Sequence, residues 1–304
     1  MEWLRALLLA GALLLLLHVF VFRWVTVRST SMFGTLLPGD LVAVQRWPQW
    51  TGYSRGDIVV FRDPLKDRNP MFGRDLLVKR LVGSPGDTVE LRQGMLFVNG
   101  VHLPRPAGLS RAHVVRLSSD APVADILKDV DIMGTELPEQ GPFTWEGPLT
   151  EAQVEDLAKR KDVLAVERLR GKGGRPGYIF PYSPFFPWNA DNYGPVVVPG
   201  KGMALSTAPE VFPLYDRLIV NYEQADVAHE GGQVLVNGGK EKEYIVTQDY
   251  VFVLGDARDH SSDSRFWGFV PMDHLVGRVG MVVLSQGKDG SLRKGRCLTV
   301  PDAP

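Results

Sequence analysis

Three stretches of this 304-residue chain hold side chains that could make or break covalent bonds. The first is Ser29-Thr30-Ser31-Met32-Phe33-Gly34-Thr35-Leu36, with Pro38-Gly39-Asp40 just behind it. The second is Lys79-Arg80-Leu81-Val82-Gly83-Ser84-Pro85-Gly86-Asp87, and the third runs from Gly255-Asp256-Ala257-Arg258-Asp259 through His260-Ser261-Ser262-Asp263-Ser264-Arg265 to Phe266-Trp267-Gly268. Singly, each has an ordinary reading: a polar linker, a solvated lysine at a strand end, a turn tied by side-chain-to-backbone hydrogen bonds. Lys79 departs from that. In Leu76-Leu77-Val78-Lys79-Arg80-Leu81-Val82, strand alternation puts Leu77, Lys79 and Leu81 on one face. An ammonium held between two leucines is desolvated, which favours its neutral form. Making an ordinary lysine half neutral at pH 7 takes roughly 4.6 kcal/mol, within reach of a buried site. A neutral lysine can take a serine hydroxyl's proton without any histidine.

Other chemistries fit less well. The six histidines show no HxxxH or HExxH pairing, and Cys297 is the single cysteine, so neither a metal site, a cofactor site of that kind nor an internal disulfide is expected. No convincing serine–histidine–aspartate set exists; His260 stands beside Ser261 but is not needed as a base once Lys79 is available. Ser285-Gln286-Gly287-Lys288 and Ser291-Leu292-Arg293-Lys294 both fit an SxxK pattern, yet they fall in a polar tail where that chemistry needs a helix start. Lys plus Arg total 34 against 35 Asp plus Glu, a balance that argues against a nucleic-acid partner.

These residues need elements to hold them. Ala6 to Phe22 is an apolar run of 17 residues broken only by His18, with Trp3 and Trp24 at its flanks. It predicts one N-terminal transmembrane helix over 4–24, uncleaved, because no small-x-small site follows. Arg5 before it and Arg23 and Arg28 after it weakly favour a cytoplasmic body. Beyond it the chain is mainly β: DLVAV (40–44), GDIVVF (56–61), LLVKRLV (76–82), DTVEL (87–91) and GMLFVNG (94–100), then EYIVT (243–247), YVFVLGD (250–256) and LVGRVGMVVL (275–284). Turn signals at this spacing predict an antiparallel sandwich or barrel-like sheet. The middle is a mixed α/β insertion. Thr150-Glu151-Ala152-Gln153 is a capping box for a helix to about Lys161, followed by a strand-like VLAVERL and the loop 171–177. Thr207-Ala208-Pro209-Glu210 predicts a second helix towards Glu223, distorted by Pro213. GMLFVNG and GQVLVNG (232–238) read as similar hairpins rather than a repeat. The division expected is a catalytic β domain over 25–104 and 245–290, an α+β insertion domain over 105–244 and a tail over 291–304.

Together, in this order and behind an apolar segment, the three stretches resemble the conserved boxes of bacterial type I signal peptidases: Ser-Met with Thr-Leu and Gly-Asp, Lys-Arg with Gly-x-Pro-Gly-Asp, and Gly-Asp-x-Arg-Asp-x-Ser-x-Asp-Ser-Arg-x-Trp-Gly. Gly56-Asp57-Ile58-Val59-Val60-Phe61 and Trp188-Asn189-Ala190-Asp191-Asn192-Tyr193-Gly194-Pro195 resemble further family segments. The resemblance spans nearly all of 1–104 and 178–285. It implies a membrane-bound serine endopeptidase with Ser31 as nucleophile and Lys79 as general base, and no cofactor. Ser29 and the Ser31 backbone N–H would hold the oxyanion, Ser261 would hold the Lys79 amine, and Asp263 and Arg265 would brace the loop. Val25, Val27, Met32, Leu36 and Val78 would wall shallow pockets that admit only small side chains at the first and third positions before the cut.

The implied partners are exported preproteins, membrane lipid and, by proximity, the secretion translocon. The implied place is the bacterial inner (cytoplasmic) membrane, single-pass, with the catalytic body on the outer, periplasmic face, which overrides the weak charge signal. Gly34 stands where the family commonly has proline, and Ala257 and His260 where it has asparagine. The alternative is an inactive, membrane-anchored peptide-binding or assembly relative. An autocleaving transcription regulator would need a DNA-binding domain where this chain has its apolar segment.

Overall fold

The computed structural model describes residues 2–16, 21–118, 126, 143–169, 177–239, 242–287 and 290–301. Among them, seven strands form one antiparallel sheet in the order Phe22–Thr26, Asp40–Gln45, Leu275–Ser285, Ile58–Arg62, Leu76–Gly83, Tyr250–Leu254 and Val270–Pro271. Period-two alternation explains how it packs. Val42, Val44, Ile58, Val60, Val78, Val276, Val279 and Val282 turn one way, into a core shared with Val25, Val27, Met32 and Leu36. Val59, Phe61, Leu81, Val251 and Val253 turn the other way, against Trp267, Val270 and Leu275.

The N-terminus corrects the expected span. A helix covers Glu2–Leu16, and Phe22–Thr26 is already a strand, so the helix cannot run to 24. Phe22 to Thr26 pairs residue by residue with Gln45 back to Leu41, and the β-branched Val25 and Thr26 suit that ladder better than another helical turn. Residues 17–20, His18 among them, lie outside the described residues. Among the described residues no helix is long and apolar enough to cross a membrane.

A second sheet joins Thr88–Arg92, Met95–Val98, Val101–His102 and Tyr193–Val197. Its hairpin turns through Asn99 and Gly100, both at positive φ, and Asn237-Gly238 repeats that geometry after Gln233–Val236. The likeness of the two sequences is thus shared turn chemistry. Val89, Leu91, Tyr193, Phe212, Ile219, Tyr250 and Phe252 belong to one core.

Further along the chain, Ser110–Leu117 pairs with both Thr144–Thr150 and Val163–Arg168. The Thr150 capping box forms in full and starts a helix over Glu151–Ala158, slightly shorter than expected. The second expected helix is displaced: a 3₁₀ turn covers Phe212–Leu214 and the helix proper is only Asp216–Asn221. Pro213 lacks an N–H and crowds the preceding turn, so Thr207 does not start a continuous helix. Of the loop 171–177, only Gly177 is among the described residues.

Candidate active site

Ser31 sits in a tight loop between Phe22–Thr26 and Asp40–Gln45, closed by Phe33 N–H to Thr30 O at 2.9 Å and Leu36 N–H to Met32 O at 2.8 Å. Met32 and Leu36 are buried in the sheet core, which fixes the loop by its own side chains. Gly34 has φ of +94°, which proline's fixed negative φ cannot reach, and a Cβ there would lie 2.1 Å from Gly108 O. The residue that departs from the resembling family is therefore one that this loop geometry requires.

Lys79 reaches the loop from the Leu76–Gly83 strand. Its Nζ donates to Ser31 Oγ at 2.7 Å and to Val78 O at 3.1 Å. Ser31 is 6% exposed and Lys79 3%, so the contact is shielded from water. Burial pushes the Lys79 amine down to about 8, while Asp263, Asp63 and Asp256 pull it partly back up. At pH 7 about a tenth of such a group is neutral. Ser29 Oγ lies 3.1 Å from Ser31 Oγ.

The third stretch forms the wall behind the pair. Asp263 and Arg265 are both fully buried and joined twice, Nε to Oδ1 and Nη2 to Oδ2, each at 2.8 Å. Asp263 also accepts from Gly255 N–H at 3.0 Å, and Arg265 donates to Arg258 O at 2.6 Å and Ala190 O at 3.1 Å. Ala257 N–H donates to Ser31 O at 3.1 Å. Its small side chain packs with Phe33 and Leu37, space that an asparagine would overfill. Ser261 is buried, but among the described residues its Oγ has no hydrogen-bond partner and is not placed on the Lys79 amine. It does lie next to the Ser31 loop: a Cβ on Gly255 would stand 2.1 Å from Ser261 Oγ and 2.5 Å from Ser31 O. His260 is exposed and stays out of the site. Val25, Val27, Met32, Leu36 and Val78 share one buried cluster beside the pair.

Two supports escaped the sequence reading. Arg80 forks onto Asp256, Nε to Oδ1 at 2.9 Å and Nη2 to Oδ2 at 2.6 Å, and Thr35 Oγ1 donates to Asp256 Oδ2 at 2.6 Å. This knot ties the Ser31 loop, the lysine strand and the third stretch together. A charge between Val78 and Val82 on an apolar strand face was its signal in the sequence. Asp40 does the same at the loop's far end, accepting from Leu37 N–H at 2.8 Å, Ser285 Oγ at 2.5 Å and Arg296 Nη2 at 2.8 Å. Ser285 of the first SxxK match is thereby engaged, and its Lys288 lies outside the described residues. Among the described residues no cluster of histidine, cysteine and carboxylate side chains could hold a metal ion.

Similarity to known proteins can be set beside this geometry. A protein-family model described as signal peptidase, peptidase S26, matches residues 1–133 and 197–284. A signal peptidase I P of Bacillus subtilis subsp. natto is 29% identical over 173 residues, covering 55% of this chain and 86% of the relative. A signal peptidase I of Bacillus licheniformis is 36% identical over 106 residues, 34% of this chain and 53% of the relative. In both the match is partial, and in the second it spans about half the relative's length. A crystal structure of a signal peptidase I from Enterococcus faecalis V583 shares 18% identity and covers 75% of this chain and 96% of that one, with a TM-score of 0.25 too low to bear on the fold.

Proposed function

The chain belongs to the signal peptidase, peptidase S26, family, and from that premise we propose that it removes N-terminal signal peptides from exported preproteins, with Ser31 as nucleophile and Lys79 as general base. The observation that carries this reading is the buried 2.7 Å contact between Lys79 Nζ and Ser31 Oγ, with the amine pushed down to about 8. The neutral amine takes the hydroxyl proton as Oγ attacks the scissile carbonyl carbon. The Ser31 N–H and the Ser29 hydroxyl receive the developing oxyanion, and donors set in place this way typically contribute about 10²–10³-fold in rate. Lys79 then passes the proton to the departing amine, and a water activated by the same lysine releases the acyl group from Ser31. Ser261, buried and with its hydroxyl unengaged among the described residues, is assigned the support of the amine once Lys79 turns from Ser31.

The substrate is read as an extended strand. Tyr250–Leu254 pairs with the lysine strand only as far as Leu254 opposite Arg80, which leaves the edge from Leu76 to Val78 for an added peptide. Val25, Val27, Met32, Leu36 and Val78 wall the pockets for small side chains at the first and third positions before the cut. The apolar N-terminal segment attaches the protein to the bacterial inner membrane as a single pass, with the catalytic body (25–104 and 245–290) and the insertion on the outer face, near the translocon. The helix of leucines over Glu2–Leu16 and the exposed Phe22, Trp24 and Trp50 support that attachment.

The direct test is cleavage of a preprotein in detergent, with sequencing of the product's new N-terminus. Ser31→Ala and Lys79→Ala should each lose cleavage while keeping the wild-type circular dichroism spectrum. Undiminished cleavage by either variant would sink the mechanism. Protease protection on spheroplasts tests the topology; a body shielded from external protease would overturn the outer-face placement.

A further inference from the structure

Along Val25 to Arg28 the side chains alternate: Val25 and Val27 are buried, Thr26 and Arg28 exposed. The lysine strand, which shares that core, alternates in the same sense. Leu76 and Val78 pack with the core that takes Val25 and Val27, whereas Leu77 packs with the opposite core, and Asp75 shares its parity. Both walls therefore turn their apolar row to one side and Arg28 and Asp75 to the other. Lys66 ion-pairs with Asp75, and both side chains are well exposed. Lys66, and more weakly Arg28, hold the Asp75 carboxyl below its ordinary range, so both cations stand near enough to act on it.

An extended peptide between these walls alternates too. If its first and third residues before the cut face the apolar row, its second faces the charges. We propose that Arg28, Lys66 and Asp75 form a charged wall that reads the substrate's second residue before the cut, favouring acidic over basic side chains there. Two cations against one anion leave that wall with a net positive charge. The inference rests on the peptidase reading above and adds to it a specificity element made of surface charge. Exposed pairs are weak, so the discrimination is a matter of about two- to fivefold in rate rather than exclusion, and salt should erode it.

The test uses the full chain in detergent and preproteins identical except for Asp, Gln or Lys at that second position, with kcat/KM for each referred to the Gln substrate of the same variant. The wild type should rank Asp over Gln over Lys, with a spread that narrows as salt is raised. Arg28→Glu should reverse the ranking, and Asp75→Asn should widen the bias against Lys. A ranking that Arg28→Glu leaves unchanged, or a spread indifferent to salt, would overturn the charged wall while leaving the peptidase reading intact. Absence of cleavage of every substrate by the wild type would overturn the peptidase reading and this inference with it.

Discussion

Lys79 must lose its proton before it can accept one, so the titration of this one amine sets the pH dependence of the proposed reaction. Burial lowers it to about 8 against the pull of Asp263, Asp63 and Asp256. The reactive form is the deprotonated one, present above that value, so kcat/KM should rise with pH along a limb centred near 8. Asp63 offers a way to move the limb. Its carboxylate favours the ammonium, so Asp63→Asn should shift the limb to lower pH, while asparagine still caps the turn where Asp63 Oδ1 accepts from Leu65 N–H at 2.9 Å. A pH–rate profile that stays put in the variant would show that this charge is not felt at the amine. Much of this was legible in the sequence, because a strand alternates whatever its surroundings. Lys79 between Leu77 and Leu81 announced its own desolvation. Asp256 was not legible as the partner of Arg80, since the two are 176 positions apart and only the folded sheet brings Leu254 opposite Arg80.

At the scale of elements, the strand Ser110–Leu117, which the sequence assigns to the insertion, touches the loop that carries Ser31 directly. Ser110 Oγ donates to Phe33 O at 3.0 Å, its N–H to Asp256 O at 2.9 Å, and its carbonyl accepts from Arg258 N–H at 3.1 Å. Ser110 thus links the loop that carries Ser31 to the stretch that carries Asp256 and Arg258. Beside it, Gly34 and Gly108 lie backbone to backbone; a Cβ on Gly108 would fall 2.1 Å from Thr35 Oγ1 and 2.8 Å from Thr35 N. Gly108→Ala must therefore push the loop, and preprotein kinetics should show kcat reduced at least about tenfold with KM little changed. Val166→Ala, opposite Val115 in the neighbouring strand, is the matched control in the same region: the lost methyl groups should cost about 1 kcal/mol in thermal unfolding and leave kcat near wild type. Comparable kcat losses in both would mean that general loosening of the insertion, not the loop contact, is responsible. The capping box could be read from sequence because all its partners lie within four positions. The Gly34–Gly108 contact could not, because nothing local in either segment calls for the other.

At the scale of the whole molecule, buried titratable groups tie stability to pH. His274 and His113 are held below their ordinary 6.5, chiefly by burial. Each favours the fold above about 6.5 and loses that contribution as pH falls through its lowered value. Asp263, held below 3.8 by Arg265 despite its burial, keeps its contribution down to mildly acid pH and loses it only as pH falls further, through its own lowered value. Asp216, raised by burial, works the other way but is a single group. Thermal unfolding followed across pH should show Tm declining gently from about pH 6.5 and steeply below about pH 4. His274→Gln should flatten the gentle part, and a variant with an unchanged decline would remove His274 from the account. The order of strands has a consequence for the history of each molecule. Leu275–Ser285 lies between Asp40–Gln45, into which the Ser31 loop leads, and Ile58–Arg62, against which the lysine strand is laid. Ser31 and Lys79 are both synthesised early, yet they share no common frame until that late strand has left the ribosome and inserted between them. The nascent chain thus cannot hold Ser31 against Lys79 until the slow, long-range closure of its sheet.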